Sequence, residues 1–137
     1  MTTSHKTLTV IALSVLALMV AADGILAASR PFRCVGPVIL NTPNGTGSGH
    51  ARHIGRVTGT GVVVNPGEAR VTLEAANRDQ IELTAHYRAD GSGGWTGTYE
   101  ITGGTGRFAG ATGSGTLKAE RSADGTIIAD AEGTISY

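Results

Sequence analysis

Glycine and proline interrupt the chain so often after Arg30 that only Glu68 to Asp90 is long enough to hold a helix. Its pattern argues against one. Val71, Leu73 and Ala75 alternate with Thr72 and Glu74, then Asn77-Arg78-Asp79 intervenes. Beyond it Ile81, Leu83, Ala85 and Tyr87 alternate with Glu82, Thr84, His86 and Arg88. Period two on both sides of a turn signal predicts a hairpin. The residue types agree. After Arg30 there are seven Val, seven Ile and fourteen Thr against four Leu, and β-branched side chains suit a pleated surface better than a helix.

The same grammar runs through the rest. Asn65-Pro66-Gly67 separates a strand over 57–64 from one starting at Ala69, and a glycine-rich loop from Asp90 to Gly94 precedes Trp95, Gly97, Tyr99 and Ile101 at spacing two. Ala123-Asp124-Gly125 is a turn between strands over 116–121 and 126–137. In that last strand Ile127, Ala129, Ala131, Gly133, Ile135 and Tyr137 share one face, while Thr126, Asp130, Glu132, Thr134 and Ser136 share the other. Asn41 to Gly49, with Pro43 and three glycines, reads as a mobile loop. The expected class is all-β: an antiparallel meander of seven or eight strands with no helix to cover a second face. Such a sheet hides its apolar side by closing into a small calycin-like barrel of about eight strands or by folding into a sandwich. We expect the barrel. An outer-membrane barrel would turn the apolar face outward, but two aromatic girdles need more than one Trp, three Tyr and two Phe.

The first segment reads as an address. A short start with one lysine leads into an apolar run, Leu8 to Ala22, broken only by Thr9 and Ser14. Asp23 ends it, and small residues at Ala27-Ala28-Ser29 follow. This is the form of a secretory signal peptide, expected over 1–27 as a helix removed on export, with the barrel over 28–137. A secreted or periplasmic location follows. Cys34 is the single cysteine, so no internal disulfide forms. Its thiol is free or bridged to another molecule, and the plainer reading is a small apolar residue in an early strand. Lys+Arg and Asp+Glu are 11 each, a balance without the electrostatic footprint of a nucleic-acid partner.

The most distinctive stretch is Ile101-Thr102-Gly103-Gly104-Thr105-Gly106-Arg107-Phe108-Ala109-Gly110-Ala111-Thr112-Gly113. It formally contains a dinucleotide fingerprint, but no helix can follow it to receive a pyrophosphate. No cofactor is expected. Gly103, Gly104, Gly106 and Gly110 instead suit a tight corner between strands, with Phe108 turned inward as a plug and Arg107 exposed or bridging to a carboxylate. The stretch resembles the Gly-Gly-Thr-Gly-Arg-Phe-x-x-Ala-x-Gly run of dirigent and allene-oxide-cyclase-like β-barrels, particularly small secreted bacterial members. His50-Ala51-Arg52-His53-Ile54-Gly55-Arg56-Val57-Thr58-Gly59 resembles a His-Leu-Gly-Arg-x-Thr-Gly segment of those proteins. Ala75-Ala76-Asn77-Arg78-Asp79 resembles their Ala-Ala-Asn-Gly-Asp turn, with Arg78 where glycine is usual. The resemblance spans about Gly49 to Tyr137 and implies an eight-stranded antiparallel barrel with a pocket at one mouth. The glycine corner serves the fold and carries no chemistry across.

Constellations for chemistry are sparse. His50 and His53 are three apart, which in a strand places them on opposite faces, so a shared metal is not expected. Gly93-Gly94-Trp95 echoes a lipocalin motif at the wrong place in the chain, and Asn44-Gly45-Thr46 is a glycosylation sequon in form only. Two functions compete. One is a secreted, non-enzymatic barrel that holds a small apolar ligand or contacts a surface partner. The other, implied by the resemblance alone, is an isomerase or cyclase acting on an unsaturated lipid-like substrate. His53, Tyr87, Tyr99 and Arg107 are the candidate polar groups for either pocket. A structural or adhesive protein would instead show a large exposed apolar patch.

Overall fold

Where apolar and polar residues alternate, strands form, and eight of them follow one another in a computed structural model that describes residues 28–41 and 43–137. The export segment expected over 1–27 lies outside the described residues. The strands are β1 (Ser29–Asn41), β2 (Asn44–Ala51), β3 (Gly55–Asn65), β4 (Glu68–Ala75), β5 (Gln80–Ala89), β6 (Trp95–Gly104), β7 (Thr112–Arg121) and β8 (Ile127–Ser136). Each pairs antiparallel with the next, and β8 pairs back with β1 to close the barrel. A single 3-10 turn, Gly106–Phe108, interrupts the meander. The all-β barrel expected from the alternation is the architecture observed.

One expectation fails. Asn41 to Gly49 is no loop: the chain turns at Asn41↔Asn44, and Asn44–Ala51 forms β2, in register with both β1 and β3. The glycines that suggested mobility, Gly45, Gly47 and Gly49, alternate at spacing two along the inner face of that strand. A strand whose inner side chains are hydrogen atoms shows no apolar period, so its signal is lost.

Inside, the two halves differ. Phe32, Ile81, Phe108 and Ile135 are the largest fully buried side chains, and Val57, Tyr99, Ile101 and Ala111 join them in one cluster. All sit toward the end where β2 turns into β3, β4 into β5 and β6 into β7. Phe108 is 0% exposed and meets Tyr137 edge-on at 4.8 Å between ring centres. It plugs that end. Arg30 lies over the Tyr137 ring and donates to its hydroxyl at 3.0 Å, which completes the seal.

Two glycines make the plug fit. Gly106 has φ +57, and a Cβ there would overlap the Asp79 carboxylate. Gly104 is extended, but its Cβ would run into the carbonyl oxygens of Gln80 and Phe108. Gly103, by contrast, would bring a Cβ only into ordinary contact with the Glu82 side chain at 3.9 Å, and Gly110 has room for a Cβ but a φ of +74. Asp79 is the carboxylate that sequence could not name for Arg107. It accepts the Arg107 backbone N–H at 3.3 Å and faces its guanidinium at 3.8 Å. Asp79 is itself positioned by the Asn77 side chain in the β4–β5 turn.

Candidate cavity at the open end of the barrel

Toward the other end the inner faces carry little. Gly45, Gly47 and Gly49 on β2 pair with Gly61, Gly59 and Val57 on β3, so a whole wall is built largely of backbone. Ala69 and Val71 on β4, Ala85 on β5, and Ala129 and Ala131 on β8 add only short side chains. The consequence is a cavity of about 470 Å3 that reaches the end bearing Pro43, Pro66 and Trp95. That volume lies within the range of about 300–1,000 Å3 usual for small-molecule sites. Phe32 and Tyr99 form its floor against the plugged half, with ring centres 5.8 Å apart.

The polar content of this cavity is small. Among the described residues its only charged lining positions are Lys118 and Asp130. Both belong to the outward register: Lys118 lies between inward Leu117 and Ala119, and Asp130 is held from outside by Arg33 at 3.0 Å. Cys34 does face the cavity, half-buried on β1 beside Gly49. Burial, with a smaller contribution from Asp130, pushes its thiol pKa up. Tyr99 is 2% exposed and its hydroxyl has no hydrogen-bond partner. Burial, then Cys34 and Glu132, pushes that phenol up to about 12.

The four polar candidates do not converge. Tyr87 and Tyr99 line the cavity. His53 stands in the β2–β3 turn and Arg107 in the 3-10 turn, both at the plugged end. The expectation that His50 and His53 face opposite ways also fails, because the chain leaves the strand after Ala51 and His53 takes φ +66 in the turn. Both line an outer depression with Arg33, Val35 and Arg52. Among the described residues no three His, Cys, Asp or Glu side chains gather as a metal site. Sequence reasoning missed the glycine wall and the inward aim of Cys34; the first was legible as glycines at spacing two on both β2 and β3.

Exposed apolar side chains gather around the same mouth. Ile39 and Leu40 end β1, Val62 and Val64 end β3, and Ile128 begins β8. Leu40 and Val62 belong to both the rim and the cavity lining.

No protein-family model matches this chain, and no curated protein matches it. Among solved structures, a pterocarpan synthase dirigent protein superposes with a TM-score of 0.53 at 10% identity, over 82% of this chain and 87% of that one. The chain has a dirigent-like fold.

Proposed function

We propose that this protein is an exported, non-enzymatic barrel that holds one small apolar molecule in the cavity at its open end. The observation that carries the reading is the 470 Å3 apolar cavity, emptied by paired inner glycines and floored by Phe32 and Tyr99. The exposed rim of Ile39, Leu40, Val62 and Ile128 supports it, since a lipophile then meets apolar surface on its way in. The chemistry inside favours holding over reacting. A general base works best with a pKa near the ambient pH, whereas the Cys34 thiol is pushed up and the Tyr99 phenol lies near 12.

Titration with Nile red, a neutral lipophile whose emission rises in apolar surroundings, tests the binding. Saturable binding of one dye per chain is expected, together with slower alkylation of Cys34 when the dye is bound. Emission that grows without saturation, with Cys34 reacting at an unchanged rate, refutes the reading. Export is tested by the mass of the protein recovered outside the cytoplasm, which should begin at Ala28 or Ser29.

A further inference from the structure

We infer that the cavity selects uncharged lipophiles carrying a single hydrogen-bond acceptor, and that they enter acceptor first to meet the Tyr99 hydroxyl at the floor. This rests on the ligand-holding reading above and names the class of ligand. Tyr99, Gly115, Gly133 and Phe32 form one cross-strand row over β6, β7, β8 and β1. The tyrosine lies down along that row. A Cβ on Gly115 or Gly133 would stand 2.7 or 2.6 Å from its hydroxyl oxygen, so these two glycines make the seat in which the phenol rests.

The seat satisfies shape and leaves chemistry unanswered. The hydroxyl is buried without a partner, and an unpaired buried polar group is destabilising because its lost hydration is not replaced. Phenylalanine would fill the same seat without that cost. A phenol offers one donor; among the side chains around it, Phe32 and Leu117 accept nothing, and the Cys34 thiol, a weak acceptor, does not pair with it. The ring lines the cavity while the hydroxyl rests on its two glycines, so meeting an acceptor in the cavity requires the ring to turn off that seat.

Charge decides between acceptors. One donor does not compensate a buried carboxylate, whose desolvation costs several kcal/mol without a cation beside it. Lys118 is the one cationic residue on the lining among those described, and it points out. Burial pushes the Tyr99 phenol up to about 12, so near neutral pH it is protonated and able to donate. A ketone, aldehyde, ester or ether oxygen on an apolar body fits; a fatty carboxylate does not.

Three naphthalenes of similar size test this on the purified protein: 2-acetylnaphthalene, 2-ethylnaphthalene and 2-naphthoate, each titrated against wild type and Tyr99→Phe. The wild type should bind the ketone and bind naphthoate more weakly than either neutral probe. Tyr99→Phe should weaken the ketone roughly fivefold to tenfold, the equivalent of one ordinary hydrogen bond. It should change ethylnaphthalene less than twofold. The ligand-free variant should melt no lower than wild type, because the orphan hydroxyl is gone. Naphthoate binding wild type as tightly as the ketone overturns the inference without any variant, and so does a ketone affinity indifferent to Tyr99→Phe. If ethylnaphthalene still binds in those cases, the ligand-holding reading stands. If neither neutral probe binds, both fall.

Discussion

The two ends of this barrel are made from the same eight strands, yet one is solid and the other hollow. At the plugged end the inner positions hold Phe32, Ile81, Ile101, Phe108 and Ile135. At the open end Gly45, Gly47, Gly59, Gly61 and several alanines make much of the inner wall, with Tyr87, Trp95 and Leu117 as its larger members. Backbone closure is indifferent to which residues point inward, because the ladder is made by N–H and C=O groups that every strand supplies. The size of the inward side chains alone decides where matter stops and space begins. Buried area and empty space are therefore separated along the barrel axis: the plugged half supplies the one, and the open half gives it up to leave the other.

Substitutions can break that division or sharpen it. Phe108→Ala attacks the solid end and should cost about 3–5 kcal/mol; a melting point within a degree or two of wild type would show the ring to be dispensable. Gly106→Ala acts on the same corner through backbone strain and Gly104→Ala through overlap with the Gln80 and Phe108 carbonyls, and each should lose about 1 kcal/mol or more in urea unfolding without ligand. A wild-type midpoint for both would remove the corner from the account.

Gly61→Leu acts on the hollow end. A Cβ there makes ordinary contacts of 3.5 and 3.6 Å with Val71 and Arg70, so the fold should hold to within about 1 kcal/mol. Nile red binding should nonetheless fall at least about tenfold as the side chain fills the cavity. A melt that drops while the dye still binds would invert the division proposed here.

The smallest effects lie in turns and titrations. Arg78 sits at φ +72 in the β4–β5 turn, a conformation that costs a side-chain-bearing residue about 1 kcal/mol. Arg78→Gly should recover up to that amount in chemical denaturation, and a loss would mean that the arginine side chain holds the turn. At high pH, Tyr99 has a folded-state pKa near 12 against an ordinary 10.0. Its neutral form is favoured by the fold, so this contribution is full below pH 10 and lost as pH rises through 12. Urea midpoints should decline over that window, and Tyr99→Phe should flatten the decline.

Much of the barrel was legible because its cause is local. Alternation in Val71–Ala75, Ile81–Tyr87 and Ile127–Ile135 fixed which faces are apolar, and Asn77-Arg78-Asp79 marked a turn that is there. Phe108 as a plug followed from glycine-allowed geometry around a lone large apolar residue. The cavity was harder to see. Its wall consists of residues without side chains, and the same glycines that hollow the barrel erased the periodicity of β2. Nor could spacing bring Tyr87 and Tyr99 together while sending His53 and Arg107 to the far end. That separation depends on which way each strand runs around a closed ring, a property of the whole chain. Arg78 shows the reverse: the place where glycine is usual in the resembling turn is the place where the backbone goes left-handed.

The ladder that closes the ring joins Ser29 to Ser136 and continues to Val38 and Ile127. It therefore ties β1 to β8, the two ends of the meander. Until β8 emerges, β1 and β7 are both bare edges with unpaired backbone groups, the kind of template on which other chains assemble. Contacts of such separation are also the slowest to form. Synthesis thus imposes a waiting period in which nearly the whole sheet exists but cannot shut, and a chain cut short before Ile127 would never leave it.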